Sequence, residues 1–373
     1  MESKKVIFAG GGTAGHIQPA LAVAKLWQET YPDDQITFLG TSSGLETTLV
    51  PAAGFELALI KRVRVPRRFT LAIFRIPLDL LRSVQQSKRI MKGSDLLIGF
   101  GGYVCAPAYL AARTLKLPFV IHEANTKPGW ANRLGARFTT ALAVGNQIHD
   151  GPFSGALITG LPLRADVATV LEANSAAGED RWIELRKAAK KNLGFDSARP
   201  LIFIFGGSQG SQAINSVIEA AQEEICGKGI QILHSIGGGV SIPVSTQEYH
   251  ATAYVDEMAQ AYLAADLTIS RSGAITCSEV AALGKFALFI PLPNGNGEQF
   301  VNAQHLIKAE GAISLDQRDF TAPWLIQNIE LLLEKSSHRS ALGSQVDLPA
   351  SAKIVALGYH QFLSSQQLKK RNK

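Results

Sequence analysis

A histidine that directly follows a glycine turn is the first group in this sequence suited to acid–base chemistry. The stretch GGGTAGHIQP, residues 10–19, follows an apolar run and contains His16. Glycine turns that open a helix hold phosphate through converging backbone N–H groups and the helix dipole. The positive end of that dipole disfavours imidazolium, so we expect a lowered pKa and a neutral ring for His16. A neutral ring can take a proton from a hydroxyl nucleophile, although donation to phosphate or capping of the helix would explain this histidine equally well.

Two more glycine turns follow apolar runs elsewhere in the chain. GFGGYVCAP at residues 99–107 comes at the end of DLLIGF, and GGSQG at residues 206–210 comes after LIFIF. The first and third turns are alike, because FAGGGTAGHIQPALAVA near the start parallels FIFGGSQGSQAINSVIEA at residues 203–220. A strand, a glycine turn and a helix therefore occur twice, which predicts two similar nucleotide-binding folds.

Polar side chains stand just past two of the predicted strands. Glu123 ends PFVIHE and Asn125 follows it, and Glu298 and Gln299 follow FALFIPLP. Open parallel sheets bind ligands at the carboxyl ends of their strands, so all four are candidates for a binding site. The alternative is that Glu123 and Asn125 only fix the conformation of their own loop. The second pair suits hydrogen bonding to sugar hydroxyls, although an Asn- and Gly-rich loop needs no ligand.

Glu279 lies in SRSGAITCSEVAALG, which joins a strand to a helix. Thr276 and Glu279 have the spacing of a capping box, which would leave Glu279 a purely structural role. A carboxylate in the first helical turn at this edge can instead hold both hydroxyls of a ribose. The residues alone leave both interpretations open.

The elements that must position these groups alternate along the whole chain. Short apolar runs alternate with helical patterns, which predicts parallel sheets with helical crossovers. We therefore expect an α/β fold of two Rossmann-like, doubly wound domains facing a cleft, at residues 1–163 and 164–350, with a helix at about 352–366 packing back on the first. The predicted strands are VIFA, QITFLG, DLLIGF, PFVIHE, TALAVG, LIFIFG, IQILHSIG, DLTIS and FALFIPLP.

The GxGxxG spacing of residues 10–15 also fits a dinucleotide site. Such a site needs an acid at the end of the second strand for the ribose. Here that strand ends in Gly40 and Thr41, while Asp33 and Asp34 precede it. A turn that holds another pyrophosphate is therefore favoured over NAD binding, and a tight turn with no ligand stays as the alternative.

Positive charge is concentrated in one segment. The chain carries a net charge of +6, and the segment from Lys61 to Lys92 contains ten Lys/Arg and one acid, so the remainder is slightly acidic. Apolar residues lie among these cations, a combination that suits an anionic membrane surface. A solvated basic helix face is the alternative, and nucleic acid is disfavoured because no recognised binding module accompanies the segment. The expected membrane-contacting residues are Arg67, Arg68, Phe69, Ile73, Phe74 and Arg75.

Several classes of protein are disfavoured by composition. Three scattered cysteines without a CxxC motif argue against a disulfide framework and favour a reduced, cytoplasmic setting. No histidine pair with metal-ligand spacing occurs. The apolar run near the start is too short for a signal peptide, and no stretch has the roughly 18 apolar residues of a spanning helix.

Five motifs taken in order resemble the MurG family of bacterial glycosyltransferases. The resemblance runs from Val6 to about Ala312, most of the chain. It implies a GT-B fold and transfer of N-acetylglucosamine from UDP-N-acetylglucosamine to the C4 hydroxyl of lipid I, the undecaprenyl-pyrophosphate-linked N-acetylmuramoyl-pentapeptide. The product would be lipid II, formed with inversion. The motifs are GGGTAGHIQPALAVA, GFGGYVCAPAYLAA, HEANTKPGWANR, FGGSQGSQAIN, and SRSGAITCSEVAALGKFALFIPLP with the following EQFVNA.

The same resemblance implies roles for residues at matching positions. Glu279 would hold the ribose, the backbone of Val255 would contact the uracil, and Ser208 would lie near the phosphates. The positions implied in donor binding are Thr13, Ala14, Gly15, Asn125, Arg164, Ser208, Val255, Ala274, Ile275, Thr276, Cys277, Ser278, Glu279, Glu298 and Gln299.

For the acceptor, the resemblance assigns the pyrophosphate to the first two glycine turns. His16 matches an essential histidine and is the candidate base, and Glu123 is the second catalytic candidate. The residues expected at the acceptor pyrophosphate are Gly11, Gly12, His16, Gly101, Gly102 and Tyr103.

The sequence departs from the family pattern at three positions. Ala14 replaces a glycine of the first turn, Leu161 replaces an asparagine, and Glu298 replaces the first of two glutamines. Glu298 bears on sugar contacts. The resemblance therefore supports the reaction class more strongly than it supports specificity for UDP-N-acetylglucosamine. A UDP-sugar transferase acting on diacylglycerol is the related alternative, and an NAD-dependent oxidoreductase and a non-catalytic membrane-surface scaffold are the unrelated ones.

The resemblance also implies where the protein works. It would be a peripheral protein on the cytoplasmic face of the cell membrane, with UDP-N-acetylglucosamine, lipid I and the anionic inner surface as partners. Proteins of cell-wall synthesis or division are further candidate partners. No metal or other cofactor is expected, since GT-B enzymes generally need no metal ligand set.

Overall fold

Two compact units make up the chain. The structure, a computed structural model, describes residues 3–63, 76–293, 297–337 and 343–371. One unit comprises Met1–Leu163 together with Pro349–Lys373, and the other comprises Arg164–Leu348. Each is built on one wholly parallel sheet with helical crossovers, which confirms the predicted fold class.

The first unit contains a seven-stranded sheet in the order β3-β2-β1-β4-β5-β6-β7. The order reverses between β1 and β4, the type of switch point at which open α/β sheets bind ligands. Its strands are β1 Lys5–Ala9, β2 Gln35–Gly40, β3 Glu56–Leu59, β4 Leu96–Gly99, β5 Phe119–Glu123, β6 Leu142–Val144 and β7 Leu157–Ile158. Its helices are α1 Ala14–Thr30, α2 Glu46–Ala52, α3 Ile76–Ile90, α4 Cys105–Leu115, α5 Trp130–Gly135, a 3-10 turn at Gly151–Phe153, and, after the second unit, α14 Ala350–Arg371.

Both faces of this sheet are buried. Val6 and Phe8 of β1 pack with α1 in one core, whereas Ile7 and Ala9 belong to a second core that includes α4. A parallel sheet covered on both faces has strands that are continuously apolar. For that reason the central strands were recognisable in the sequence.

The C-terminal helix α14 packs on α1, β4 and β5 of the first unit. A Cβ at Gly358 would lie only 2.9 Å from Cζ3 of Trp27, so this contact requires glycine. The buried Lys4 ammonium lies 3.4 Å from Asp34 Oδ1 and 5.4 Å from the ring centre of Tyr359 on α14. The cation–π contact of this paired ammonium therefore helps to hold α14 on this unit.

The second unit contains a six-stranded sheet in the order β10-β9-β8-β11-β12-β13. Counted from its own first strand, this is the order of the first six strands of unit 1, which agrees with the two similar folds that the repeated turn motif predicted. Its strands are β8 Leu201–Phe205, β9 Gln231–Ser235, β10 Tyr249–Thr252, β11 Leu267–Ser270, β12 Ala287–Phe289 and β13 Ala312–Ser314. Its helices are α6 Ala165–Ala173, α7 Glu179–Asn192, α8 Gln212–Gly227, α9 Met258–Ala264, α10 Ala274–Ala282, α11 Glu298–Asn302, α12 Gln304–Lys308 and α13 Ala322–Ser337.

All nine predicted strands are present, and the structure adds β3, β7, β10 and β13. Across the described ranges, every helix is too short or too polar to cross a bilayer.

Candidate active site

The first two glycine turns lie side by side at the switch point of the first unit. A Cβ on Gly102 would lie 2.2 Å from the carbonyl oxygen of Gly11, so the two turns are in direct backbone contact. Gly12, Gly101 and Gly102 have positive φ angles of 91°, 98° and 88°, a region that glycine enters without steric cost. The two glycine turns predicted to bind the acceptor pyrophosphate thus adjoin through their backbones.

His16 is the third residue of α1 and its ring lies against the second turn. Its Nδ1 is 3.2 Å from Oγ1 of Thr13, the residue before the helix. A Cβ on Gly101 would lie 3.0 Å from Cδ2 and 3.2 Å from Nε2 of this ring, so a side chain there would displace it. Burial lowers the pKa of His16, and the Gly11 backbone and the Glu46 carboxylate oppose that shift. The direction is the predicted one, but the largest cause is burial rather than the helix end.

Glu46, which opens α2, is a buried carboxylate behind the first turn that the sequence analysis missed. Its Oε2 accepts a hydrogen bond from Gly12 N–H at 3.0 Å, and its Oε1 accepts from the N–H and Oγ1 of Thr41 at 2.9 and 3.0 Å. A Cβ on Gly40 or Gly44 would overlap the Glu46 side chain. Glu46 therefore fixes the Gly12 peptide and places a carboxylate at the turn. In the sequence, Glu46 could have been identified as the single acid shortly after the end of the second strand, in GTSSGLE.

Ala14 and Gly15, predicted to take part in donor binding, are the first two residues of α1. Ala14 is buried and Gly15 is partly exposed. Both lie in the first unit, as do Thr13 and Asn125, whereas the remaining predicted donor residues lie in the second unit.

Glu123, the last residue of β5, uses its carboxylate to fix the loop that follows. Oε1 accepts from the N–H and Nδ2 of Asn125 at 2.9 and 3.2 Å, and Oε2 accepts from Gly129 N–H and Asn132 Nδ2 at 2.9 and 3.0 Å. Burial raises the pKa of Glu123, and these four hydrogen bonds oppose the shift. A carboxylate has about four acceptor positions, so all of them are occupied. This arrangement supports the loop-fixing alternative, and a catalytic role for Glu123 stays a prediction.

Tyr103 is exposed beside the first turn. A Cβ on Gly12 would lie 3.8 Å from its Cδ2, and the Arg62 guanidinium lies 5.0 Å from its ring centre. Arg62 also donates to Ser43 Oγ at 3.2 Å. A cation therefore stands next to the turn that also carries the Glu46 carboxylate.

In the second unit, the turn after β8 is again in contact with a second glycine loop. A Cβ on Gly210 would lie 2.1 Å from the Ile236 carbonyl oxygen, and one on Gly237 would lie 2.5 Å from Gly210 Cα. Ser208 lies partly exposed in this turn. Ser211 caps α8 by accepting from Ile214 N–H at 3.4 Å.

Arg271, which the sequence analysis also missed, is a buried guanidinium at this edge of the sheet. It donates to Ser211 Oγ at 2.8 Å, to the Ile290 and Pro291 carbonyls at 2.9 and 3.2 Å, and to Gln317 Oε1 at 2.6 Å. Burial lowers its pKa. Arg271 thus ties the glycine turn to the end of β12 and brings a positive charge close to it.

Glu279 does not cap its helix, so the capping-box interpretation is wrong. Helix α10 begins at Ala274 after Gly273, no side chain caps it, and Glu279 is its sixth residue rather than part of the first turn. The carboxylate is buried; Oε1 accepts from Arg164 Nε at 2.9 Å and Oε2 from the Tyr262 hydroxyl at 3.0 Å.

Burial and ion pairing have opposite effects on the pKa values of Glu279 and Arg164. Burial raises the pKa of Glu279, and Arg164 and Tyr262 oppose the shift. The pKa of Arg164 is held above its usual value against burial, chiefly by the Glu279 carboxylate. Unlike Glu123, Glu279 receives one hydrogen bond on each oxygen from the described residues, which leaves acceptor capacity on both.

The other donor candidates on α10 differ in accessibility. Thr276 is partly exposed, whereas Cys277 and Ser278 are buried and the Ser278 hydroxyl donates to Asp347. Ala274 and Ile275 are also buried at the start of the helix, and Val255 is buried in the loop after β10.

Gln299 and Glu298 begin α11, as predicted, after the loop that follows β12. Gln299 Oε1 accepts from Leu292 N–H at 2.9 Å, and its carbonyl accepts from Ser272 Oγ at 2.9 Å. Because β8, β11 and β12 are neighbours, the residues after them share one sheet edge. Ser208, the start of α10 and Gln299 therefore lie along the same edge.

The six residues predicted to contact the membrane, Arg67 to Arg75, lie outside the described residues. The described helix α3 continues that segment. Within the described ranges, His, Cys, Asp and Glu side chains form no group of three that could hold a metal ion.

Two family models match the chain. The glycosyltransferase family 28 N-terminal domain matches residues 6–144, and the glycosyltransferase family 28 C-terminal domain matches residues 201–356. Curated relatives named UDP-N-acetylglucosamine--N-acetylmuramyl-(pentapeptide) pyrophosphoryl-undecaprenol N-acetylglucosamine transferase are similar over most of their length. That of Frankia casuarinae is 42% identical over 95% of each chain, and that of Streptomyces coelicolor is 41% identical over 87% of this chain and 88% of its own.

Solved structures agree with this similarity. The crystal structure of Acinetobacter baumannii MurG superposes with a TM-score of 0.67 at 26% identity, over 96% of this chain and 99% of that one. The calicheamicin glycosyltransferase CalG4 superposes with a TM-score of 0.59 at 13% identity, over 99% of this chain and 98% of that one. The second likeness concerns the fold alone.

Proposed function

The chain belongs to glycosyltransferase family 28, and on that premise we propose that it transfers N-acetylglucosamine from UDP-N-acetylglucosamine to lipid I, giving lipid II. Its two parallel α/β sheets have the GT-B fold. The observation that carries the proposal is the similarity to the curated transferases over almost the whole chain. The enzyme is a hexosyltransferase of peptidoglycan synthesis.

The second unit would bind the donor. The acceptor capacity left on each Glu279 oxygen suits the two hydroxyls of a ribose, with Arg164 and Tyr262 holding the carboxylate in place. The glycine turn at Ser208 would face the diphosphate, where backbone N–H groups and the nearby Arg271 charge favour an anion. Gln299, at the same sheet edge, would contact the sugar.

The first unit would bind the acceptor. Its two adjoining glycine turns, with the Arg62 cation beside Tyr103, suit a pyrophosphate. His16 would take the proton from the C4 hydroxyl as that oxygen attacks the anomeric carbon and UDP leaves. The lowered pKa of His16 keeps its imidazole neutral and able to accept that proton.

A mass-spectrometric assay with UDP-N-acetylglucosamine and a lipid I analogue tests the reaction. We expect the analogue to gain the mass of one N-acetylhexosamine, with release of UDP. The same assay with diacylglycerol in place of the lipid I analogue tests the related alternative. A titration with NADH, followed by its fluorescence, tests the oxidoreductase. Absence of the hexosamine adduct on the lipid I analogue would refute the proposed function.

Helix α3 supports docking on an anionic membrane surface. Ser83 and Ser87 are its buried residues and Val84 and Ile90 pack against the core, while Leu78 and Leu81 are 49% and 53% exposed next to the exposed Arg82. A helix that buries serines and exposes leucines among cations has an apolar surface that a bilayer can cover. This surface would keep the enzyme at the inner leaflet, where the lipid tail of the acceptor stays.

We predict that Leu78→Gln with Leu81→Gln weakens binding to phosphatidylglycerol vesicles at least about tenfold, because two apolar side chains no longer enter the bilayer. Vesicle sedimentation measures the effect. Leu331→Gln on α13, an equally exposed leucine of the second unit, is the matched control and should bind as the unchanged protein does. Equal loss in both variants would contradict docking through α3.

A further inference from the structure

A cavity of about 250 Å³ lies in the second unit, away from the proposed donor residues. Its lining includes the residues just before three neighbouring strands: Arg199 before β8, Asp266 before β11 and Lys285 before β12. It therefore opens at the amino ends of these strands, whereas the Ser208 turn follows the carboxyl end of β8. We call it the cationic cavity.

Four cations and one carboxylate line the cationic cavity. Arg186 and Lys190 project from successive turns of α7, and Arg199 and Lys285 come from the strand starts. Lys190 Nζ lies 2.6 Å from Asp266 Oδ2, which also accepts from a backbone N–H. Arg199 pairs at 3.5 Å with Glu248, a residue outside the lining. The lining thus carries an excess of positive charge.

Lys285 is the most deeply buried of these cations. It is 3% exposed, and its ammonium donates to the carbonyls of Leu263 and Ala265 at 2.8 and 2.7 Å. Within the described part of the chain, no carboxylate forms an ion pair with it. An ammonium has three donors, so one more acceptor can be accommodated.

The neighbouring charges act directly on Lys285. Burial lowers its pKa well below the usual range; the Arg186 and Lys190 charges add to that shift, and Asp266 opposes it. Like charges held close together in a partly buried site destabilise one another. An anion bound among them would offset both the burial and the repulsion.

We propose that the cationic cavity binds a phosphate dianion, either free or as the monoester of a small molecule, against Lys285, Lys190 and Arg186. The cavity of about 250 Å³ has room for a phosphate group with a small organic substituent. Charge-assisted hydrogen bonds from lysine and arginine are the strongest that phosphate forms in proteins. This site is separate from donor and acceptor binding and does not depend on the proposed reaction.

Phosphate binding to the full-length protein tests the proposal. Inorganic phosphate and glycerol 3-phosphate are titrated by calorimetry and by ³¹P line broadening, with saturating UDP present. Binding of either probe supports the site, and tighter binding of glycerol 3-phosphate identifies a monoester ligand. Absence of binding by both probes at millimolar concentrations would overturn it.

Two variants separate the cationic cavity from phosphate bound at the glycine turns. Lys285→Met should weaken binding at least about tenfold, while Lys187→Met, an exposed lysine of α7 paired with Glu184, should leave it within about twofold. Arg186→Gln, at a partly exposed position, provides the same test if Lys285→Met does not fold. Equal binding by all variants would place the phosphate elsewhere and refute the proposal.

Discussion

Replacing His16 by alanine lowers turnover by about a hundredfold or more, while UDP affinity changes by less than about twofold. A positioned general base typically accounts for 10²–10⁴ in rate, and His16 is at the turn proposed for the acceptor, in the first unit, whereas Glu279 lies in the second. Turnover is measured by the mass-spectrometric assay, and UDP affinity by calorimetry. His360→Ala, an exposed histidine of α14, is the control and should retain full turnover.

If His16 is the base, activity should be lost at low pH, where its ring is protonated. A base is active when neutral, and burial lowers the pKa of His16 below its usual 6.5. The acid limb of kcat/KM should therefore lie below pH 6.5, with activity lost as the pH falls through the lowered pKa. The Glu46 charge raises that pKa, so Glu46→Gln should move the limb to still lower pH. Glu56→Gln on β3, an exposed carboxylate bonded to Thr37, should not move it.

Near-normal turnover of His16→Ala would remove its role as the base. An alkaline limb in place of the acid limb would indicate that the protonated ring is the active form. A loss of UDP affinity as large as the loss of turnover would instead assign His16 to donor binding.

The second large effect is expected at Glu279. Glu279→Gln should weaken UDP binding by about 10- to 100-fold, because hydrogen bonds to a charged group contribute about 1.5–3 kcal/mol. If the carboxylate holds the ribose, the unchanged protein prefers UDP over 2′-deoxy-UDP, and the variant loses much of that preference. Competition calorimetry with the two nucleotides measures the ratio.

This ratio distinguishes ribose contact from a purely structural ion pair. If Glu279 only pairs with Arg164, the variant binds both nucleotides equally less well and the ratio is unchanged. Tyr262→Phe, which keeps the ion pair but removes the hydrogen bond to Oε2, should have a smaller effect in the same direction. Glu257→Gln, at an exposed glutamate before α9, is the control.

Sequence reasoning found the interior strands of both sheets and missed the edge strands. The nine predicted strands are the interior ones, and β3, β7, β10 and β13 are the four outermost strands. An interior strand of a parallel sheet is buried on both faces and must be continuously apolar. Edge strands are short and half-exposed, as ELAL in β3 and YHAT in β10 are, so their composition resembles that of loops. Their pairing is decided by the neighbouring strand.

The candidate site divides in a similar way. Glycine turns could be located in the sequence because close backbone contact and positive φ demand glycine, as at Gly102 against Gly11. The hydrogen-bond partners of isolated acids could not be located in the sequence. Thr276 and Glu279 had capping-box spacing, yet the helix begins at Ala274 and the Glu279 carboxylate meets Arg164, 115 residues earlier in the chain.

The sequence by itself determined the two parallel-sheet units, their glycine turns and the family, because these depend on local residue patterns and on motif order. The tertiary structure decided which buried charges serve which group. Glu46 at Gly12, Arg271 at Ser211 and Arg164 at Glu279 come together from different strands and helices. The reason is physical: a buried charge is stable only among compensating groups, and the fold, rather than sequence spacing, brings those groups within reach.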